Sequence, residues 1–169
     1  MLQAQESQIK NVLESNLSPE QMAQKYFAGY IKYQIPHYVS SHHNKKITAK
    51  LQAVEAGLIR RLIICMPPRH GKTMQTSELF PAWYLGRNPK HEVIHATYSY
   101  ERGADVGRKV RNNIMAPAHQ VIFSDPECQL SPDVKGANKM ATKAGGYYYS
   151  VGAAGAIVGR GANLFLIDD

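Results

Sequence analysis

The chain has 169 residues, the length of one domain that can bury a real core, and its 44% hydrophobic and 20% charged residues are those of an ordinary globular protein. Its formal charge of +7 favours a polyanionic partner such as nucleic acid. Two cysteines, Cys65 and Cys128, exclude a disulfide framework and fit a reducing cytoplasm, and no apolar stretch is long enough to span a bilayer, so a soluble protein without membrane attachment is expected.

Ile9, Val12, Leu13 and Leu17 recur at helical spacing near the start. Ser18-Pro19-Glu20-Gln21 reads as a helix start: serine caps, proline fits the first turn, and Gln21 stands where it closes a capping box. Met22, Tyr26 and Tyr30 give that helix an apolar stripe. Residues 1–35 are thus expected to be a helical appendage, with the main domain over 36–169. Ile35-Pro36 interrupts the pattern, and His42-His43 precedes an amphipathic helix marked by Ile47, Leu51, Val54 and Leu58. The histidine pair lacks further ligands at metal spacing, and Lys45, Lys46 and Lys50 read as a solvated face.

The stretch from Arg61 to Thr73, RLIICMPPRHGKT, carries the first chemistry. The unbroken run Leu62 to Met66 predicts a strand buried on both faces, with Cys65 acting as a small hydrophobe. A sharp turn at Pro67-Pro68 leads into His70-Gly71-Lys72-Thr73. Buried strand, tight turn and Gly-Lys-Thr describe a phosphate-binding loop. Backbone N–H groups close on a phosphate, the lysine reaches the β- and γ-phosphates, and the threonine hydroxyl holds Mg²⁺. Met66 stands where the full pattern has its first glycine, so the loop is a variant form.

Beyond it, Met74 to Leu85 predicts a helix with Leu79, Phe80 and Trp83 turned inward, Pro81 as a potential kink, and Gly86 and Pro89 as its end. Glu92 to Tyr98 reads as a strand with His95 as a core or strand-end residue. Ser99 caps a helix carrying Val106, Val110 and Ile114, whose Arg102, Arg108, Lys109 and Arg111 are read as solvated. Residues 117–136 look irregular; Lys139 to Lys143 and Tyr147 to Val151 then form a hairpin about Ala144-Gly145-Gly146. Tyr147, Tyr148 and Tyr149 alternate faces and read as packing residues. The glycine-rich GAAGAIVGRG run (152–161) allows close backbone approach, with Arg160 as its one charge. Leu164 to Ile167 lead into Asp168-Asp169, paired carboxylates at a strand end. The first would organise Mg²⁺ and its water shell, the second polarise an attacking water.

A phosphate loop after one strand and carboxylates after another describe a P-loop ATPase. RLIICMPPRHGKT, FPAWYLGRNPKHEVIHATYS, GGYYYSVGAAGAIVGRGAN and LFLIDD together resemble the large subunit of the terminase of tailed bacteriophages and prophages, from about Ser40 to the last residue. The resemblance implies an ASCE-type P-loop NTPase fold, a three-layer α/β/α arrangement about a mostly parallel sheet. It also implies a motor ATPase in the cytoplasm of a bacterial host that pumps double-stranded DNA into a procapsid. Such a motor works as a homo-oligomeric ring on the portal protein, guided by a small terminase subunit, with ATP and Mg²⁺ as cofactors and a C-terminal RNase H-like nuclease domain. By motif, Pro68, Arg69, His70, Gly71, Lys72 and Thr73 bind the nucleotide, Asp168 takes the Walker B metal role, and Asp169 that of the catalytic carboxylate.

The chain departs from the family pattern in places. Asp169 replaces the more usual glutamate, and Pro68 holds the place of an arginine finger, leaving Arg69 as first candidate and Arg160 as second. His43 falls where the family often has an adenine-reading glutamine. The sequence ends on the second acid, so the strand expected between the Walker A and Walker B strands, the coupling motif and the nuclease domain are expected to be missing. Poor ATP hydrolysis by this piece is the corollary. An inactive prophage remnant or truncated fragment retaining nucleotide binding, and a helicase-like P-loop ATPase, are the alternative readings.

Overall fold

The computed structural model describes residues 16–152 and 161–168. The early apolar repeat at Ile9, Val12 and Leu13, together with Arg160 and Asp169, lies outside them.

Three helices open the described chain: α1 (Pro19–Lys25), α2 (Phe27–Gln34) and α3 (His42–Glu55). The capping box forms as the sequence implies, with Ser18 Oγ accepting from Gln21 N–H at 3.2 Å and Gln21 Oε1 accepting from Ser18 N–H at 2.8 Å. The predicted single helix is split, because Tyr26 adopts an extended backbone that ends α1 and starts α2. The bend is fixed by Gln52 of α3, whose Oε1 accepts from Phe27 N–H at 2.7 Å. Beyond the loop at 67–71 a helix runs through residues 72–87, π-helical over Met74–Leu79 and then α4 (Phe80–Arg87). The wide turn has a local cause. Pro81 supplies no N–H and its ring would crowd the carbonyl four residues back, so the helix loosens, and Phe80 N–H bonds Gln75 O five residues behind it.

Next come β1 (Glu92–Thr97), α5 (Tyr100–Met115), α6 (Pro117–Ile122), β2 (Leu130–Lys135), β3 (Lys139–Thr142), β4 (Tyr147–Gly152) and β5 (Leu164–Asp168). Ser99 caps α5 by accepting from Arg102 N–H at 3.1 Å. Helix α6 and strand β2 occupy the stretch that looks irregular in sequence; Pro117 starts the first at its N-terminal turn, and β3 recruits the second by pairing. The five strands run in the order β2-β3-β4-β1-β5. β1 pairs parallel with β4 and β5, whereas β2, β3 and β4 pair antiparallel, so the fold is α/β with a mixed sheet rather than the expected mostly parallel one. The hairpin between β3 and β4 accounts for the antiparallel half.

Register puts Val93, His95 and Thr97 of β1, Tyr148 and Ser150 of β4, and Leu164, Leu166 and Asp168 of β5 on one sheet face. Helix α5 packs there through Val106 and Val110, and its Gly103 and Gly107 let it approach. The opposite face presents Phe165 and Ile167, 50% and 77% exposed. Among the described residues one helical layer is seen, not the two of the expected three-layer arrangement. Behind α5 the core continues through α4 into α1 and α2: Trp83 Nε1 donates to Ala23 O at 3.1 Å, and Phe27 meets Phe80 and Trp83 at 5.3 Å between centroids. Among the described residues no helix is long and apolar enough to cross a membrane.

Close approach makes Gly107 irreplaceable. A Cβ there would lie 1.9 Å from the backbone carbonyl oxygen of Ala137, which no side-chain rotation relieves. Gly107→Ala is expected to cost about 1–3 kcal/mol, read as a lower urea midpoint at unchanged slope. Full parental stability would show that the contact between α5 and the β2–β3 turn yields freely.

Candidate functional site

The predicted strand at Leu62 to Met66 does not form. These residues pair with no strand, and their exposure alternates: Leu62, Ile64 and Met66 are half-buried, whereas Ile63 is 88% exposed and Cys65 is also exposed. A strand needs a neighbour, and among the described residues none lies alongside. Leu62, Ile63 and Ile64 of the run instead line a cavity of about 700 Å³ together with residues 162–168, which include β5. Lys72, Thr76 and Phe80 line it from the helix and Asp168 from the end of β5. Lys72, just after the loop, and Asp168 therefore face one space, with no described strand between the elements that carry them.

The loop itself is a tight reversal. Arg69 has φ +62° and Gly71 φ +82°, two left-handed residues about His70, whose Nδ1–H donates to Pro68 O at 2.8 Å. A Cβ on Gly71 would meet nothing closer than Asn44 Oδ1 at 3.7 Å, so glycine is required by the backbone angle and not by crowding. The positive φ of Arg69 is rare for a side chain-bearing residue and marks a strained turn. Gln75 N–H bonds Gly71 O at 3.1 Å and starts the helix, so Lys72 and Thr73 occupy its first turn. Free N–H groups and the helix dipole favour an anion at such an end.

Asp168 ends β5, beside Thr97 of β1, and is 5% exposed. Ser77, on the π-helical turn, donates from Oγ to Asp168 Oδ2 at 3.1 Å. His95 is fully buried on the same sheet face, with Nδ1 3.3 Å from Ser150 Oγ and Nε2 without a partner. Burial pushes its pKa below the usual imidazole value; the Asp168 carboxylate opposes that shift and Arg102 adds to it. A neutral core histidine results, as its place in the strand suggests.

Of the sequence-derived candidates, Gly71, Lys72 and Thr73 sit together at the loop and helix start, and Asp168 lies across the shared cavity. Pro68, Arg69 and His70 are exposed at the tip of the loop. His43 packs against it, its ring 5.7 Å from that of His70 and one of its nitrogens 2.9 Å from Ser41 Oγ. Arg160 and Asp169 fall outside the described residues. Ser77, Asn44 and Gln75 were not singled out by sequence. Asn44 Oδ1 and Gln75 Oε1 are buried without partners near the loop, and Gln75 Nε2 donates to Tyr38 OH at 2.6 Å. Ser77 follows Thr73 by one helical turn, the one signal that points to it.

Comparison of the chain with protein-family models, curated proteins and solved structures gives no match.

Proposed function

We propose that this chain is the ATP-binding portion of a terminase-like large subunit, a P-loop NTPase whose full-length form drives double-stranded DNA packaging. One observation carries the nucleotide reading: Lys72, at a glycine-turned helix start, and Asp168, at a strand end, line the same cavity. The donors fit a hard cation. A threonine hydroxyl and a carboxylate are the oxygen ligands that Mg²⁺ takes beside phosphate oxygens. Bound Mg²⁺ would supply charge neutralisation at the β- and γ-phosphates. Gly71 and the following N–H groups would cradle the phosphates, Lys72 would neutralise them, Thr73 and Asp168 would supply oxygen ligands to the metal, and His43, packed on the loop, would contact the base. Arg69 is the candidate for contact with the γ-phosphate. The motor reading, with DNA, portal protein, small subunit and bacterial cytoplasm, rests on the quoted motifs and on the net charge of +7.

A fluorescent ATP analogue titrated into the purified chain tests the nucleotide reading. Saturable binding that unlabelled ATP displaces is expected, and no binding at millimolar analogue would refute it. Steady-state hydrolysis by the same protein is expected near background, because no described strand bridges the cavity between the loop's wall and Asp168. Turnover of about 1 s⁻¹ or faster, within the ordinary enzyme range, would overturn that expectation.

A further inference from the structure

Among the described residues no ladder joins the helix bearing Lys72 to the strand bearing Asp168: the run preceding the loop pairs with no described strand, and β5 pairs with β1. A hydrogen bond crosses between them instead. Ser77 Oγ donates to Asp168 Oδ2 at 3.1 Å, and Ser77 is itself 2% exposed. Beside it, Thr76 Oγ1 donates to Lys72 O at 3.0 Å and lies 3.2 Å from Ser77 Oγ. The two hydroxyls lie side by side, but each gives its one proton elsewhere, Thr76 to the Lys72 carbonyl and Ser77 to the Asp168 carboxylate, so Ser77 alone holds Asp168. The wide π turn ahead of Pro81 sets the angle at which Ser77 meets the sheet face carrying Asp168.

From this geometry we infer that Ser77 is the positioning residue for Asp168, aiming its carboxylate at a divalent cation beside the phosphate loop. The inference rests on the nucleotide-binding reading. A buried carboxylate with one oxygen held by a hydroxyl keeps a single orientation, and outer-sphere partners of this kind set metal affinity. Ser77 is buried and is not among the residues lining the cavity, so its loss is expected to affect the metal-dependent part of binding alone.

The test uses the same ATP-analogue titration on the parent chain, Ser77→Ala and Ser77→Thr, in EDTA and across a Mg²⁺ series. Parent and Ser77→Ala are expected to bind equally in EDTA. Ser77→Ala is expected to need about tenfold more Mg²⁺ for half-maximal tightening, with Ser77→Thr restoring the parental requirement. If Ser77→Ala fails to fold, Ser77→Cys, which keeps the volume and weakens the donor, carries the same comparison. An unchanged Mg²⁺ requirement overturns the inference and leaves the nucleotide reading standing. An equal loss with and without Mg²⁺ overturns it too, making Ser77 a packing residue. Absence of binding by the parent refutes the nucleotide reading and takes the inference with it.

Discussion

Replacing Lys72 with alanine is expected to weaken ATP-analogue binding roughly a hundredfold while leaving the fold intact. Lys72 stands in the first helical turn after Gly71 and borders the cavity that Asp168 closes. In the proposed reading it is the loop's point charge toward the β- and γ-phosphates, and a charge-assisted bond to a phosphate is worth about 2–3 kcal/mol. Removing it leaves the backbone N–H cradle, which sustains weak binding, so a residual signal at high nucleotide is part of the expectation. Lys109→Ala is the control: that lysine pairs with Glu78 at 2.7 Å on the exposed side of α5 and should leave affinity unchanged. Equal affinity of Lys72→Ala and parent would show that the loop is not a phosphate site, whatever its shape.

The second large effect is on stability in acid. His119, on α6, is fully buried between Tyr30 and Phe123, and burial pushes its pKa down to about 3 from an ordinary 6.5. Its tautomer is set by a chain of donors: Gln34 Nε2 donates to Tyr30 OH at 2.8 Å, and Tyr30 O–H donates to His119 Nδ1 at 2.9 Å. The folded protein therefore holds the ring neutral. Above pH 6.5 folded and unfolded states are both neutral there, and no stability is lost. Below it the unfolded chain takes up a proton that the folded one refuses, so stability falls as pH drops from 6.5 toward 3. The loss approaches about 1.4 kcal/mol per pH unit, or roughly 4 kcal/mol across the window. Urea unfolding of the parent and of His119→Gln between pH 8 and 4.5 isolates this contribution. The parent should lose stability more steeply, and parallel slopes would exclude the histidine as the cause.

Much of the local structure is legible in the sequence because its causes are local. The capping box at Ser18 and Gln21, the serine cap before α5, the breaks after Gln34 and Arg87, and the β3–β4 hairpin all depend on residues within a few positions of one another. The turn at Gly71 belongs with them: Gly71 at φ +82° followed by Lys72 and Thr73 is a short-range motif, readable without knowing what lies opposite. The Leu62 to Met66 run shows where that reading stops. Its composition is that of a buried strand, yet it stays unpaired and half exposed, because strand formation depends on a neighbour and no residue within the run supplies one. The split at Tyr26 and the strand at Leu130–Lys135 have the same origin, a partner distant in sequence: Gln52 for the first, β3 for the second.

By itself, then, the sequence determined the chemistry on offer: a glycine-turned loop with lysine and threonine, a carboxylate after an apolar strand, and a basic surface. The tertiary structure decided which of these residues share a space. It set Asp168 across a cavity from Lys72, turned Phe165 and Ile167 outward, and brought Ser77 to Asp168 through a helical turn widened ahead of Pro81. Motifs are written in adjacent residues. The meeting of positions 77 and 168 depends on the packing of the helix against the sheet face, and no local pattern encodes it.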